Sequence, residues 1–245
     1  VLARAVDLVA PLAFGQRVLV EAQPRSGRTS VLRALAKSVV AGSEEDPEVI
    51  VLLVDERPEE VTAWTREVEG VSIEAAPADL GAGEQVRIAE RALAKARRQA
   101  EAGRDVVLIV DSLTRLATAC GDAGAVKPFF GTGRELEEDN AGSVTVIATA
   151  LLGSPGDQAL IEDVRTTENA TDRLDADLVA PGVSPALDER SSAISAEETD
   201  LTPSEVDALR RLKAELTGMD PAPAAARLVE LINGSANNAE LLEKL

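Results

Sequence analysis

Histidine and tyrosine are absent from the 245 residues, and cysteine occurs once. Without imidazole, neither a Ser-His-Asp nor a Cys-His site can be assembled, and a catalytic zinc centre loses its commonest ligand. The lone Cys120 excludes an internal disulfide framework and fits a reducing compartment. It reads as a small hydrophobe after an apolar helix rather than as a nucleophile. No run of about eighteen apolar residues exists, so no membrane-spanning helix is expected. Residues Val1 to Pro11 show neither the charged start nor the cleavage site of a secretory leader, and a cytoplasmic location is expected. The start at Val1 rather than Met suits a fragment of a longer protein. Positive charge is also short: 25 Lys and Arg stand against 43 Asp and Glu, a formal net charge of −18. Such a surface repels phosphate backbones unless cations gather locally. The clearest gathering is Lys95, Arg97 and Arg98. An acid-rich surface also suits a salt-adapted cytoplasm, so the charge weighs against a nucleic-acid partner without excluding one.

What is present is a regular alternation. Apolar segments at Arg17–Ala22, Val49–Val54, Val71–Ala75, Val106–Val110 and Val144–Leu151 have the length and composition of buried parallel strands. Helical patterns lie between them at Gly27–Val40, Pro58–Val68, Ala82–Ala102 and Phe129–Glu138. The expectation is an α/β fold with a mostly parallel central sheet flanked by helices. Asp177–Ala180 and Asp188–Ser192 are expected to add edge strands. Loops are expected at Gly42–Pro47, Gly121–Pro128 and Gly153–Asp157, where Gly, Pro and Ser gather. Thr202, Pro203 and Glu205 form a helix start, Gly218 and Pro221 end that helix, and a second runs from Pro223 to Asn233. The organisation expected is one nucleotide-binding domain over residues 1–200, with residues 201–245 as its helical extension. Phe129, Phe130 and Trp64 read as packing residues, and the acidic run Glu135–Asp139 as a solvated helix face.

Three constellations carry chemistry. The first is Ala22-Gln-Pro-Arg-Ser-Gly-Arg-Thr29 between the first strand and helix. It resembles the phosphate loop GxxxxGK[ST], in which backbone N–H groups and a helix N-terminus cradle phosphates. Gly27 and Thr29 match, Ala22 replaces the first glycine and Arg28 replaces the lysine. An ordinary Gly/Ser turn is the plainer alternative. In the second, Val51-Leu-Leu-Val-Asp-Glu-Arg57, an apolar strand delivers Glu56 and Arg57 to its C-terminal end, where ligands bind in open α/β sheets. A carboxylate there can activate the water that attacks a terminal phosphate. Glu59 and Glu60 read as acids favouring a helix N-terminus. The third, Val106-Val-Leu-Ile-Val-Asp111-Ser112, is the Walker B arrangement, an apolar strand ending on an acid.

The stretches VDLVAPLAFGQR, LLVDERPEEVT, VVLIVDSLTRLA, FFGTGRELEE and GSVTVIATALL resemble, in the same order, the C-terminal motor domain of the bacterial transcription termination factor Rho family. They span Val6 to Leu152. The resemblance implies a RecA-type P-loop NTPase, with ATP and Mg²⁺ as ligands. The loop Pro24, Arg25, Ser26, Gly27, Arg28, Thr29 and Ser30 would hold phosphates, and Thr29 with Asp111 the metal. Glu56 would activate water, Arg57 would sense the γ-phosphate, and Thr149 would stand near the nucleotide. A hexameric ring and RNA are the implied partners.

The chain also departs from that family. Lysine, a compact point charge, is replaced at Arg28 by a planar fork. The glycine-rich pore loop shrinks to Cys120–Lys127. A second pore loop becomes Gly153–Asp157 without a cation. The arginine-finger position falls in Ala193–Ala196, with Arg190 a few residues upstream, and the adenine-stacking aromatic aligns with Ser184. Losing such a finger removes about three to five orders of magnitude in rate. The leading expectation is an ATP-dependent RNA translocase or terminator. The alternative is a nucleotide-binding paralogue with little or no hydrolysis and no RNA track, acting as an interaction module, in association with an authentic Rho or another partner. A metabolic kinase is disfavoured, because no separate lid with clustered cations is visible.

Overall fold

The computed structural model describes residues 1–42, 46–137, 140–178, 186–188, 191–194 and 201–245. The chain begins with helix α1 (Leu2–Val9), then β1 (Arg17–Ala22), α2 (Arg28–Gly42), β2 (Glu48–Val54), α3 (Pro58–Glu67), β3 (Val71–Ala76), α4 (Ala82–Glu101) and β4 (Val106–Asp111). It continues through α5 (Leu113–Cys120), the single turn α6 (Lys127–Phe130), β5 (Arg134–Glu135), β6 (Ser143–Leu151), α7 (Pro155–Val164), β7 (Ala170–Leu174) and β8 (Ala193–Ile194). Helices α8 (Pro203–Thr217), α9 (Pro221–Asn233) and α10 (Asn238–Lys244) close it.

The strands form one sheet in the order β3-β2-β4-β6-β1-β7-β8, with β5 beside β6. All pairings are parallel except β5 with β6 and β7 with β8. The expected mostly parallel α/β sheet is therefore observed. Side chains alternate across it as a pleated strand demands. Val49, Val51 and Leu53 face α1, α2 and α8–α10, whereas Ile50, Leu52 and Val54 face α4–α7. Both faces are covered, which is why these strands read as unbroken apolar runs.

Several expectations need correction. Phe129–Glu138 is not one helix. A single turn ends at Phe130, and Arg134–Glu135 form a short strand on β6. The chain must pass close to β1 here: a Cβ on Gly133 would lie 2.7 Å from Arg17 Cγ and 2.8 Å from the Gln16 carbonyl oxygen. Phe129 and Phe130 are buried packing residues, as expected. Trp64 is fully buried, with the Arg33 guanidinium 5.5 Å from its ring centroid. Of the edge strand expected at Asp177–Ala180, Asp177 and Leu178 belong to a 3-10 turn, Ala176–Leu178, and 179–180 lie outside the described residues. The other edge strand lies at Ala193–Ile194, beyond the expected Asp188–Ser192, with an isolated bridge between Leu174 and Leu187. The loop expected through Gly153–Asp157 is the start of α7, where Ser154 and Asp157 form a capping box. Ser184 and Arg190 lie outside the described residues, as do 195–196 of the arginine-finger stretch and 138–139 of the acidic run.

Candidate functional site

The parallel order carries the C-terminal ends of β1, β2, β4 and β6 to one edge of the sheet, and the three motifs arrive there together. After β1, Gln23 to Gly27 turn into α2. Ala22, in the place of the first glycine of the phosphate pattern, is a sheet residue in register with Leu151 on one side and Leu174 on the other. It needs no glycine. The left-handed turn is made instead at Arg25 (φ 66°) and Gly27 (φ 84°). No atom lies within 4 Å of a Cβ built on Gly27, so the demand there is conformational rather than steric. The hydroxyl and N–H of Ser26 both donate to the Gln23 carbonyl, at 2.8 and 3.2 Å, which tightens the turn. The Val31 N–H donates to the Gly27 carbonyl at 3.1 Å, leaving the N–H groups of Arg28, Thr29 and Ser30 at the open end of a fifteen-residue helix. Those donors and the positive end of the helix dipole suit an anion. A cleft of about 500 Å³ opens beside them, lined by Gln23 to Arg25, Gly27 to Ser30, Arg115 and Leu151.

On the cleft's inner side the charges interlock. The Arg28 Nη2 donates to Glu56 Oε1 at 2.9 Å, and its Nε lies 3.1 Å from Asp111 Oδ1. Arg115 reaches the same Glu56 oxygen from α5 at 2.5 Å and donates to the Asp55 carbonyl at 2.8 Å. Asp111, at the end of β4 and only 1% exposed, also accepts from the Thr149 hydroxyl at 3.1 Å. Burial pushes the Glu56 carboxyl above its ordinary value; the Asp111 charge adds to that, and Arg115 and Arg28 oppose it. Burial likewise raises Asp111, with Arg28 as the main opposing charge. The cluster thus sets two buried carboxylates against two guanidinium groups.

Of the residues singled out in the sequence, Arg28, Glu56, Asp111 and Thr149 meet in this cluster. Thr29 lines the cleft, and its hydroxyl makes no hydrogen bond to Asp111. Pro24, Arg25, Ser26, Gly27 and Ser30 form the loop and the helix start. Arg57 stands apart: it is exposed, acts as the backbone N-cap of α3 and makes no side-chain hydrogen bond among the described residues. Arg115 was not singled out, although it lies inside the DSLTRLA stretch that carries the resemblance. Lys95 and Arg97 are engaged within the chain, Lys95 donating to Ser72 and Arg97 to the Thr132 hydroxyl at 2.9 Å.

The acids at the cleft are poorly placed for a divalent cation. Among the described residues no group of three or more His, Cys, Asp or Glu could hold a metal. Asp111 Oδ1 already faces both Arg28 and Thr149. As arranged, the cluster holds the Arg28 guanidinium between its two carboxylates.

Residues 3–127 match the ATP synthase alpha/beta family, nucleotide-binding domain. The chain belongs to that family. Within it, curated relatives are the transcription termination factors Rho of Rhodopirellula baltica, 37% identical over 98% of this chain and 50% of the relative, and of Streptomyces coelicolor, 37% identical over 99% and 62%. A third, from Micrococcus luteus, is also 37% identical, over 98% of this chain and 37% of its own length. The chain is thus a divergent relative of the Rho C-terminal RecA-like domain, and spans about half the length of the curated relatives it matches. A solved ATPase from the type III secretion system of pathogenic bacteria shares the fold, with a TM-score of 0.76 at 21% identity, over 99% of this chain and 82% of that one. The Rho-like nucleotide-binding reading of the sequence is supported. No helix among the described residues is long and apolar enough to cross a membrane.

Proposed function

We propose that this chain binds ATP or ADP at the Gln23–Ser30 loop as a Rho-related domain with little intrinsic hydrolysis. The observation that carries this reading is the double pinning of Glu56 by Arg28 and Arg115 at 2.9 and 2.5 Å. A carboxylate that is to take a proton from water needs an oxygen free to face that water. Here Oε1 accepts from Arg28 and is paired with Arg115; both charges oppose the rise that burial and Asp111 give the carboxyl, and together they fix its direction. The phosphates are received by the N–H groups at the start of α2 and by the guanidinium groups lining the cleft.

The RNA track of a translocase finds little support. The stretch Gly153–Asp157 begins a capped helix without a cation, and Lys127 is paired with Asp163 at 2.9 Å. A second reading, an RNA-stimulated motor in a homo-oligomeric ring, rests on the retention of Glu56 and Asp111 at the ends of adjacent strands.

Steady-state hydrolysis of Mg-ATP with and without pyrimidine-rich single-stranded RNA separates the two, with Glu56→Gln as control and nucleotide binding measured independently. Saturable binding with turnover no higher than the control is expected. RNA-stimulated turnover that vanishes in Glu56→Gln would establish the motor instead.

A further inference from the structure

On the inner wall of the cleft, Arg28 pairs with a second acid besides Glu56. Arg28 spans Glu56, beyond the end of β2, and Asp111, at the end of β4, with one side chain: Nη2 at 2.9 Å from the first and Nε at 3.1 Å from the second. Both acids pair with Arg28 of the loop, and a divalent cation entering the site would have to compete for them. Asp111 is 1% exposed, and its Oδ1 also accepts from Thr149. With Arg115 on Glu56, two negative charges already meet two positive ones. A divalent cation would arrive beside two guanidinium groups with no surplus negative charge to receive it.

An anion meets the opposite situation. The guanidinium carries five N–H donors in a planar fork, and Glu56 takes one of them. The Nε–H is buried without a hydrogen-bond acceptor, so its pairing with Asp111 is Coulombic rather than directed. The fork can therefore pivot on Glu56 toward the cleft without breaking a hydrogen bond to Asp111. Nη1 remains for phosphate oxygens at the mouth of α2. A lysine could not do both: an ammonium on a slim stem is a point charge and does not bridge two carboxylates while presenting a planar edge to a phosphate.

We propose that Arg28 takes the charge-neutralising place of the divalent cation at this site, so that the chain binds nucleoside di- and triphosphates without a metal. The proposal rests on the nucleotide-binding reading above and goes beyond it in naming the ligand form: free nucleotide rather than its magnesium complex.

Isothermal titration of the whole chain with ADP, once in excess EDTA and once in excess magnesium, tests it. The two dissociation constants are expected within about threefold of each other, a difference well under the 1.4 kcal/mol that marks a tenfold change. In Arg28→Lys, with folding checked by circular dichroism, the bridge is broken and Asp111 is released, while Glu56 keeps Arg115. ADP is then expected to bind about tenfold or more tighter with magnesium than with EDTA. A wild-type preference for magnesium of that size would overturn the proposal and leave nucleotide binding standing. Tighter ADP binding by Arg28→Ala than by the wild type would also overturn it, because Arg28 would then be a plug rather than a ligand. Absence of ADP binding under both conditions would remove the nucleotide reading itself. Should the lysine variant not fold, manganese with ADP and the wild-type chain gives a second measure by electron paramagnetic resonance. Only the free and ADP-bound metal spectra are expected, and a protein-bound manganese signal would refute the assignment.

Discussion

Asp172 lies in β7 between Ala170 and Leu174, both of which belong to the core on the α1 side, so its carboxyl points into that same apolar layer. It is fully buried, and neither oxygen meets a donor. Burial holds its pKa well above the ordinary 3.8, and the neighbouring Asp7 charge pushes the same way. The folded chain therefore keeps a proton that the unfolded chain gives up. Stability from this group is complete below the unfolded pKa and is lost as pH rises from 3.8 towards the folded pKa. Within that window the loss is about 1.4 kcal/mol per pH unit. Asp172→Asn removes the proton exchange with little change of shape. Urea unfolding of both proteins across this pH range should show the wild type falling relative to the variant as pH rises. Parallel curves would mean that Asp172 ionises as readily folded as unfolded.

Element by element, caps and strand edges set where the chain turns. Helix α8 starts on a reciprocal cap: the Glu205 N–H donates to the Thr202 hydroxyl at 3.3 Å, and the Thr202 N–H donates to Glu205 at 2.8 Å. Thr202→Ala should cost about 1 kcal/mol of unfolding free energy, with nucleotide affinity unchanged because the cap lies on a helix outside the cleft. Chemical denaturation alongside ADP binding checks both halves of that statement. Thr202, Pro203 and Glu205 were readable because a cap is a local pattern. The central strands β1, β2, β4 and β6 were readable because burial on both faces leaves little polar alternation to obscure them. β7 was not. Its sequence Ala-Thr-Asp-Arg-Leu is polar at three positions, and only tertiary pairing with β1 makes it a strand. The start of α7 was hidden by Gly, Pro and Ser, which mark loops and caps alike. At the site, Arg28, Glu56 and Asp111 could be located from motifs, but their mutual pairing could not, because the ion pairs join three segments distant in sequence. Arg115 sits one helical turn past Ser112 in a stretch already recognised as distinctive, and its role depends on where α5 points it.

For the whole molecule, the question is whether the C-terminal helices form part of the same cooperative unit as the sheet. Leu212 and Leu216 of α8, Leu228 and Ile232 of α9, and Leu241 and Leu242 of α10 lie in one buried cluster with Val18, Val51 and Ile109 of the central strands. Arg4, on α1, ties the two ends of the chain together. Its Nε donates to Asn238 Oδ1 at 2.8 Å, and its Nη1 donates to the Ile232 and Ser235 carbonyls, each at 2.9 Å. The Asn238 amide in turn donates to Asp7 Oδ2 at 2.7 Å. Arg4→Ala removes these hydrogen bonds and takes from the Ser235 carbonyl its donor, and should cost about 2 kcal/mol. For a chain of this length that lowers the melting temperature by about 4 to 8 °C. If the tail and sheet share one core, thermal unfolding of the variant stays a single transition at a lower temperature. If the tail is a separable unit, an early step appears, corresponding to loss of helix with the sheet intact. Far-ultraviolet circular dichroism, followed against the fluorescence of Trp64 in the sheet-packed α3, distinguishes these outcomes. Coincident curves assign residues 201–245 to the same cooperative body as the nucleotide cleft, so that damage at the tail reaches the loop through the shared core.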